Sequence, residues 1–265
     1  MSAETLAAGT VLRPGYEVLE HIARSSAYDV YDVWSELRDC RCVAKVVRPD
    51  RVDDPRPAEH LLREGALLLQ FSHPHLVRAY EVHDDPWPLV ILETITGVTL
   101  GRALEEAGGP IPLQLWVPLG IHLCSALHYL HGNGLLHLDL KPANVISERG
   151  FAKLVDLSTA RSPGTYGPGL GTTSYRPPEQ IRGGELREGS DVWGLCALLW
   201  TAATGDPPPG ADPPTPVSTA GVPDQAWTLL RRGLAADPSC RPGVSRVADE
   251  LAELQPDPTA GASPG

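Results

Sequence analysis

The feature that most constrains this chain is a stretch of eight residues, His137-Leu138-Asp139-Leu140-Lys141-Pro142-Ala143-Asn144. It sets an acid, a lysine and an amide within six consecutive positions, just after an apolar helical run, Leu113 to His131, that closes on Gly132-Asn133-Gly134. That closing triplet is a helix stop signal, so the three polar groups follow the helix on a loop. An aspartate can take or orient a hydroxyl proton, a lysine can hold a phosphate as a point charge, and an asparagine can ligate a divalent cation beside a second carboxylate.

Composition narrows the setting. With 265 residues and 42% hydrophobic content, the chain can bury a full core as one domain or one two-part unit. No apolar run reaches the roughly 18 to 20 residues needed to span a bilayer, and Met1-Ser2-Ala3-Glu4 is not a basic lead-in to a secretion signal, so a cytoplasmic location is expected. The formal net charge of −11 argues against nucleic acid or an anionic membrane as partner. Five cysteines without C-x-x-C spacing point to buried thiols, with neither a disulfide framework nor a zinc site indicated. Of the 22 basic residues only Lys45, Lys141 and Lys153 are lysines, so each invites a chemical question.

In chain order, residues 1–12 read as a loose, disordered start. Tyr16-Glu17-Val18-Leu19, Asp29 to Trp34 and Cys42 to Val47 read as three antiparallel strands. A helix over Ala58 to Phe71 carries Glu59 and Glu64, which lie about 140° apart around its axis and cannot share a role. Pro88 to Gly97 reads as a buried strand leaving into a linker. Val145 to Ser147 and Phe151 to Val155 form a hairpin, followed at once by Asp156-Leu157-Ser158. Residues 255–265 read as a disordered tail.

The eight-residue stretch resembles the catalytic loop H-R-D-x-K-x-x-N of protein kinases, with Leu138 at the arginine position. Other segments match the same family in the same order. Cys42-Val43-Ala44-Lys45 resembles the V-A-I-K strand, Asp156-Leu157-Ser158 resembles D-F-G, and Gly171 to Glu179 resembles G-T-x-x-Y-x-A-P-E. Asp191-Val192-Trp193-Gly194 resembles the core helix that anchors the catalytic loop, and Arg241 stands where a partner for Glu179 is expected. The resemblance covers about residues 13–254 and looks like a bacterial eukaryotic-like (Hanks-type) serine/threonine kinase.

That resemblance implies an α+β, two-lobed fold. A small antiparallel-sheet lobe with one helix, about 13–94, lies over a mainly helical large lobe, about 95–254, with ATP in the cleft. It implies Asp139 and Lys141 as catalytic residues and Asn144 and Asp156 as ligands of Mg2+. Lys45 with Glu64 would bind the nucleotide phosphates, helped by Arg24 and Ser25. Val30, Ala44, Leu92, Glu93 and Ile95 would surround the adenine. The implied partners are a protein or peptide substrate and a regulatory protein.

Departures from the family pattern carry their own expectations. Where the family has three glycines between the first two strands, this chain has Ala23, Ser25 and Tyr28, which should weaken or reshape the cradle of the γ-phosphate. Leu138 removes the arginine that would receive an activation-loop phosphate, so activity independent of such phosphorylation is expected. Ser158 replaces the D-F-G glycine, and prolines deny helix to most of Gly205 to Asp237. Three readings follow. An active Ser/Thr protein kinase is the first, and a pseudokinase that binds nucleotide or a partner is the second. A small-molecule kinase, which would generally lack the Thr172 to Glu179 segment, is the third.

Overall fold

The structure, a computed structural model, describes residues 4–85, 87–213 and 221–255. The chain divides into two compact units, one of residues 1–96 with 156–158, the other of 97–155 with 159–265. The division thus falls two residues later than the expected boundary.

Unit one is an antiparallel six-stranded sheet with one helix. Its strands are β1 (Val11–Arg13), β2 (Tyr16–Arg24), β3 (Tyr28–Ser35), β4 (Cys40–Val47), β5 (Ala79–His83) and β6 (Leu89–Glu93), in the order β1-β2-β3-β4-β6-β5. Side chains alternate across a strand, so directly paired residues share a face. Tyr31, Ala44 and Ile91 are paired across β3, β4 and β6 and belong to one buried cluster with Tyr16, Val18, Val33 and Cys42. Val30, Lys45 and Val90 are paired on the opposite face. Near the start of the chain, Leu6, Gly9 and Thr10 make contacts with the sheet. Gly9 and Thr10 exchange main-chain hydrogen bonds with Val18, and Leu6 packs on the buried cluster.

Helix α1 (Pro55–Gln70) is capped by Asp54, whose side chain accepts from the Arg56 N–H, with proline at the first helical position. Gly65 lets α1 approach the sheet: a Cβ there would stand 2.5 Å from one Val82 methyl and 2.7 Å from a Val90 methyl. This close approach buries Glu64 at 2% exposure and leaves Glu59 in solvent.

Unit two is mainly helical. It contains β7 (Val98–Thr99), α2 (Leu100–Ala107), α3 (Leu113–Gly132), β8 (Val145–Glu148), β9 (Phe151–Leu154), β10 (Gly164–Tyr166), α4 (Pro178–Arg182), β11 (Gly184–Leu186), α5 (Glu188–Thr204), α6 (Asp224–Gly233) and α7 (Val244–Ala252). Every residue of α5 from Ser190 to Ala203 is buried, as expected for a helix apolar all round. Neighbouring α3 contributes fully buried Trp116, whose truncation to alanine would cost about 3–5 kcal/mol. Within Gly205 to Asp237 the described residues hold one helix, α6, which follows Pro223 and buries Trp227; residues 214–220 of the proline-rich stretch lie outside the described residues. Among the described residues no helix is long and apolar enough to cross a membrane.

Arg241 ties α4 to the region of α5. Its guanidinium, with no exposed side-chain surface, donates to both Glu179 oxygens at 2.7 and 2.9 Å and stacks over Trp193. Burial raises the Glu179 carboxyl, but the Arg241 hydrogen bonds and charge outweigh it and hold the group below its ordinary 4.5. A carboxyl lowered in the folded state contributes stability above its unfolded value and loses it as pH falls through the folded one. Urea unfolding should therefore show wild type losing stability below about pH 4.5. Glu179→Gln should begin about 3–5 kcal/mol less stable and lose less across that window. Parallel acid limbs in the two proteins would contradict this account.

Candidate active site

Within unit one, three groups surround the Lys45 ammonium. Glu64 Oε2 lies 2.7 Å away and Asp156 Oδ2 3.6 Å away. The Tyr28 ring centroid is 4.9 Å from the same nitrogen. Burial alone would lower Lys45, but Glu64 and Asp156 outweigh it, so the group is held above its ordinary value and stays charged. Burial pushes Glu64 up to about 7, opposed by Lys45. Glu64 also accepts from the Leu157 main chain, linking α1 to the segment that carries Asp156.

The 156–158 turn is pinned. Asp156 has φ +84°, in the left-handed region that non-glycine residues seldom adopt. Its Oδ1 accepts from the Ser158 N–H at 2.9 Å, and the Arg63 guanidinium donates to the Ser158 carbonyl. Ser158, at the family's glycine position, is thus part of a closed turn, with Leu157 buried beside it.

Within unit two, Asp191 fixes the loop 137–144. Its carboxylate accepts from the main-chain N–H groups of His137 and Leu138, each at 2.8 Å, and pairs with His131 Nε2 at 2.8 Å. Leu138 stands at φ +65°, a bend that costs an L-residue about 1–2 kcal/mol. Gln180 holds the other side of the bend by donating to the Leu138 carbonyl at 2.8 Å. The next residue is thereby aimed. Asp139 Oδ2 accepts from Lys141 Nζ at 2.8 Å and from Asn144 Nδ2 at 3.3 Å. Its Oδ1 is buried with no hydrogen-bond partner among the described residues.

Lys141 also donates to Thr172 Oγ1 at 2.8 Å, so the loop 137–144 touches the segment that follows β10. That segment passes very close. A Cβ on Gly171, at φ +76°, would lie 2.4 Å from the Leu138 carbonyl oxygen and 2.7 Å from Gln180 Nε2. Only glycine fits there.

The structure brings Lys45, Glu64 and Asp156 together in unit one, and Asp139, Lys141 and Asn144 together in unit two. Val30 and Leu92 lie on the Lys45 face of the sheet, Val30 paired with Lys45 and Leu92 with Val43. Ala44 does not. It faces the buried cluster, and strand alternation gives the Lys45-side position to Val43, so the Ala44 expectation is corrected. Glu93 ends β6, its N–H donating to the Arg78 carbonyl, and Ile95 follows half-buried.

Arg24 and Ser25 are differently employed. The Arg24 guanidinium pairs with Asp29 through two bonds of 2.7 and 2.9 Å. Ser25 Oγ accepts from the Tyr28 N–H, closing a tight turn between β2 and β3. Both side chains hold the hairpin itself together. Sequence reasoning missed His131 and Gln180, each of which acts only through the fold, and it missed the contact of Tyr28 with Lys45.

The residues fit a divalent cation only in a limited sense. Among the described residues no group of three or more His, Cys, Asp or Glu side chains could hold a metal alone. Magnesium is usually held by one or two carboxylates completed by ligand oxygens and water, so no cage of side chains is required of it.

Comparison with known proteins bears on this arrangement. Residues 16–250 match the family described as the protein kinase domain. The chain is similar to serine/threonine-protein kinase PknB of Mycobacterium tuberculosis, 33% identical over 218 residues, covering 76% of this chain and 35% of that protein. It is 34% identical over 211 residues to PknB of Mycolicibacterium smegmatis, covering 74% and 34%. Serine/threonine-protein kinase PkaA of Streptomyces coelicolor is 31% identical over 232 residues, 78% of this chain and 42% of that one. The chain thus spans about a third to two fifths of the length of these curated relatives.

Asp191 offers a direct test of how the loop is held. Asp191→Ala leaves three buried donors without their acceptor, each costing about 1–3 kcal/mol. The variant should lose at least about 3 kcal/mol in urea unfolding, and its amides at 137 and 138 should lose hydrogen-exchange protection. Wild-type protection at those two amides would show that the loop is held by something else.

Proposed function

Because the chain belongs to the protein kinase family, with homology to bacterial Hanks-type serine/threonine kinases and a two-lobed kinase fold, we propose that it transfers the γ-phosphoryl group of ATP to a serine or threonine hydroxyl of a protein or peptide. The observation that carries this reading is Asp139, aimed by the bend at Leu138 and bonded on Oδ2 to both Lys141 and Asn144. Oδ1 is sealed from solvent, so a substrate hydroxyl would meet this carboxylate at Oδ2, sharing or displacing the Lys141 contact, and give up its proton there as the phosphate bond forms. Lys141, bonded to the same carboxylate, would stabilise charge on the transferred group.

In this proposal Lys45, kept charged by Glu64 and Asp156, binds the nucleotide phosphates, and Val30, Val43, Leu92 and Ile95 line the base. Asn144 and Asp156 are the proposed magnesium ligands. Magnesium and ATP, when bound, supply the phosphoryl group and the positive charge that neutralises it. A pseudokinase is the second reading, favoured by the hairpin that lacks all three glycines.

We further propose that activity does not depend on activation-segment phosphorylation. With Leu138 in the arginine position, the loop meets the segment through an apolar cluster of Leu136, Leu138 and Leu186, on which Tyr166 and Leu170 pack. Arg176 is already engaged, donating to the carbonyls of Gly171 and Gly169.

Asp139→Asn should remove most phosphoryl transfer to a mixed peptide panel while leaving ATP binding intact. Asp156→Ala should also weaken magnesium-dependent binding, read by calorimetry. Equal turnover in wild type and Asp139→Asn would sink the kinase proposal. Absence of magnesium-ATP binding at millimolar nucleotide would favour the pseudokinase. Phosphatase treatment of the purified protein should change its activity less than about threefold, since Leu138 replaces the arginine that would pair with a phosphate on the segment.

A further inference from the structure

The hairpin between β2 and β3 is fastened at several points. Ser25 and Tyr28 close it by their own main-chain bond of 2.8 Å. The Arg48 side chain donates to the Ser25 carbonyl, and the Arg48 N–H donates to the Ala27 carbonyl, both at 2.9 Å. The Tyr28 hydroxyl reaches the Pro57 carbonyl in the first turn of α1, at 3.1 Å. Alternation places Tyr28 on the same face as Val30 and hence as Lys45, and its ring lies against the ammonium that Glu64 binds from another side.

We propose that Tyr28 is a positioning residue for Lys45: its ring covers one side of the ammonium while its hydroxyl ties the hairpin to α1, so that the Lys45–Glu64 pair is assembled before any nucleotide binds. An aromatic face attracts a cation through its quadrupole, most strongly where water is excluded. Tyr28 remains a neutral donor at any working pH, because burial pushes its phenol up to about 12. A lysine at the end of an apolar strand has four flexible bonds, and holding it on two sides removes freedom that ligand binding would otherwise have to remove.

The inference rests on the proposed role of Lys45 only in its last readout. The first readouts use nucleotide-free protein. A pulse of an amine-acylating reagent, quantified by mass spectrometry, reports Lys45 against the only other lysines, Lys141 and Lys153. Tyr28→Phe keeps the ring and loses the tether. Tyr28→Leu fills space without a π face, and Tyr28→Gly restores the family residue. Lys45 should label at close to the wild-type rate in Tyr28→Phe and about 2- to 30-fold faster in Tyr28→Leu and Tyr28→Gly, with Lys153 unchanged. Amides 25–30 should exchange faster in all three variants. Magnesium-ATP binding should weaken in Tyr28→Leu and Tyr28→Gly by a similar factor.

Wild-type labelling of Lys45 in Tyr28→Leu would overturn the inference, as would equal acceleration in Tyr28→Phe and Tyr28→Leu. Tighter nucleotide binding in Tyr28→Gly with unchanged labelling would show the ring to be an obstruction. If Asp139→Asn turns over like wild type while labelling follows the ring, the kinase proposal fails and the inference about Tyr28 stands.

Discussion

A single buried carboxylate organises the helical unit. Asp191, in the first turn of α5, takes two main-chain N–H groups and one imidazole, so a charge that burial would penalise is surrounded by donors and lies near the positive end of a helix. Everything that aims Asp139 depends on it. The left-handed bend at Leu138 is tenable only because Asp191 and Gln180 hold it from opposite sides, and the near approach of Gly171 is measured against that bend. Local strain at this position is therefore maintained by the most deeply buried helix of the unit.

The sheet unit works by a different principle. Lys45, Glu64 and Asp156 form a small network in which one ammonium serves two carboxylates, and the relative burial of the acids sets their parts. Glu64 is buried by the approach that Gly65 allows, whereas Asp156 retains more solvent contact, with a side chain 30% exposed. A buried acid with a fixed partner holds position, and a more exposed one can exchange partners.

Much of this was legible in the sequence, for reasons that differ by residue. Lys45 and Glu64 were readable because their interval resembles that of the family's strand lysine and helix glutamate, and Asp191 and Arg241 because each sits within a motif tied to a particular helix or turn. Ala44 was misplaced because matching letters to a motif ignores strand phase, which the register with Tyr31 and Ile91 decides. Tyr28 could be recognised as too large for a glycine position, but size says nothing about direction; only the β3–β4 pairing sends its ring to Lys45. Strands β1, β7 and β10 are two or three residues long, too short to show alternation. Their existence follows from partners distant in sequence. Helix α2 is likewise short, and its capping by Thr99 and Gly108 becomes evident only once the chain is seen to turn there.

The apolar contact between Leu138 and the segment bearing Tyr166 and Leu170 has a consequence for the conditions under which that segment stays docked. A phosphate held by arginine is weakened by salt and indifferent to modest cooling. Contact among leucines and a tyrosine ring behaves in the opposite way: it is insensitive to ionic strength, strengthened by excluded solutes such as sulfate, and loosened in the cold as the hydrophobic driving force fades. This apolar share of the grip is thus set by temperature and osmolyte more than by salt, beside the polar share that Lys141 supplies through Thr172 and Arg176 through Gly171.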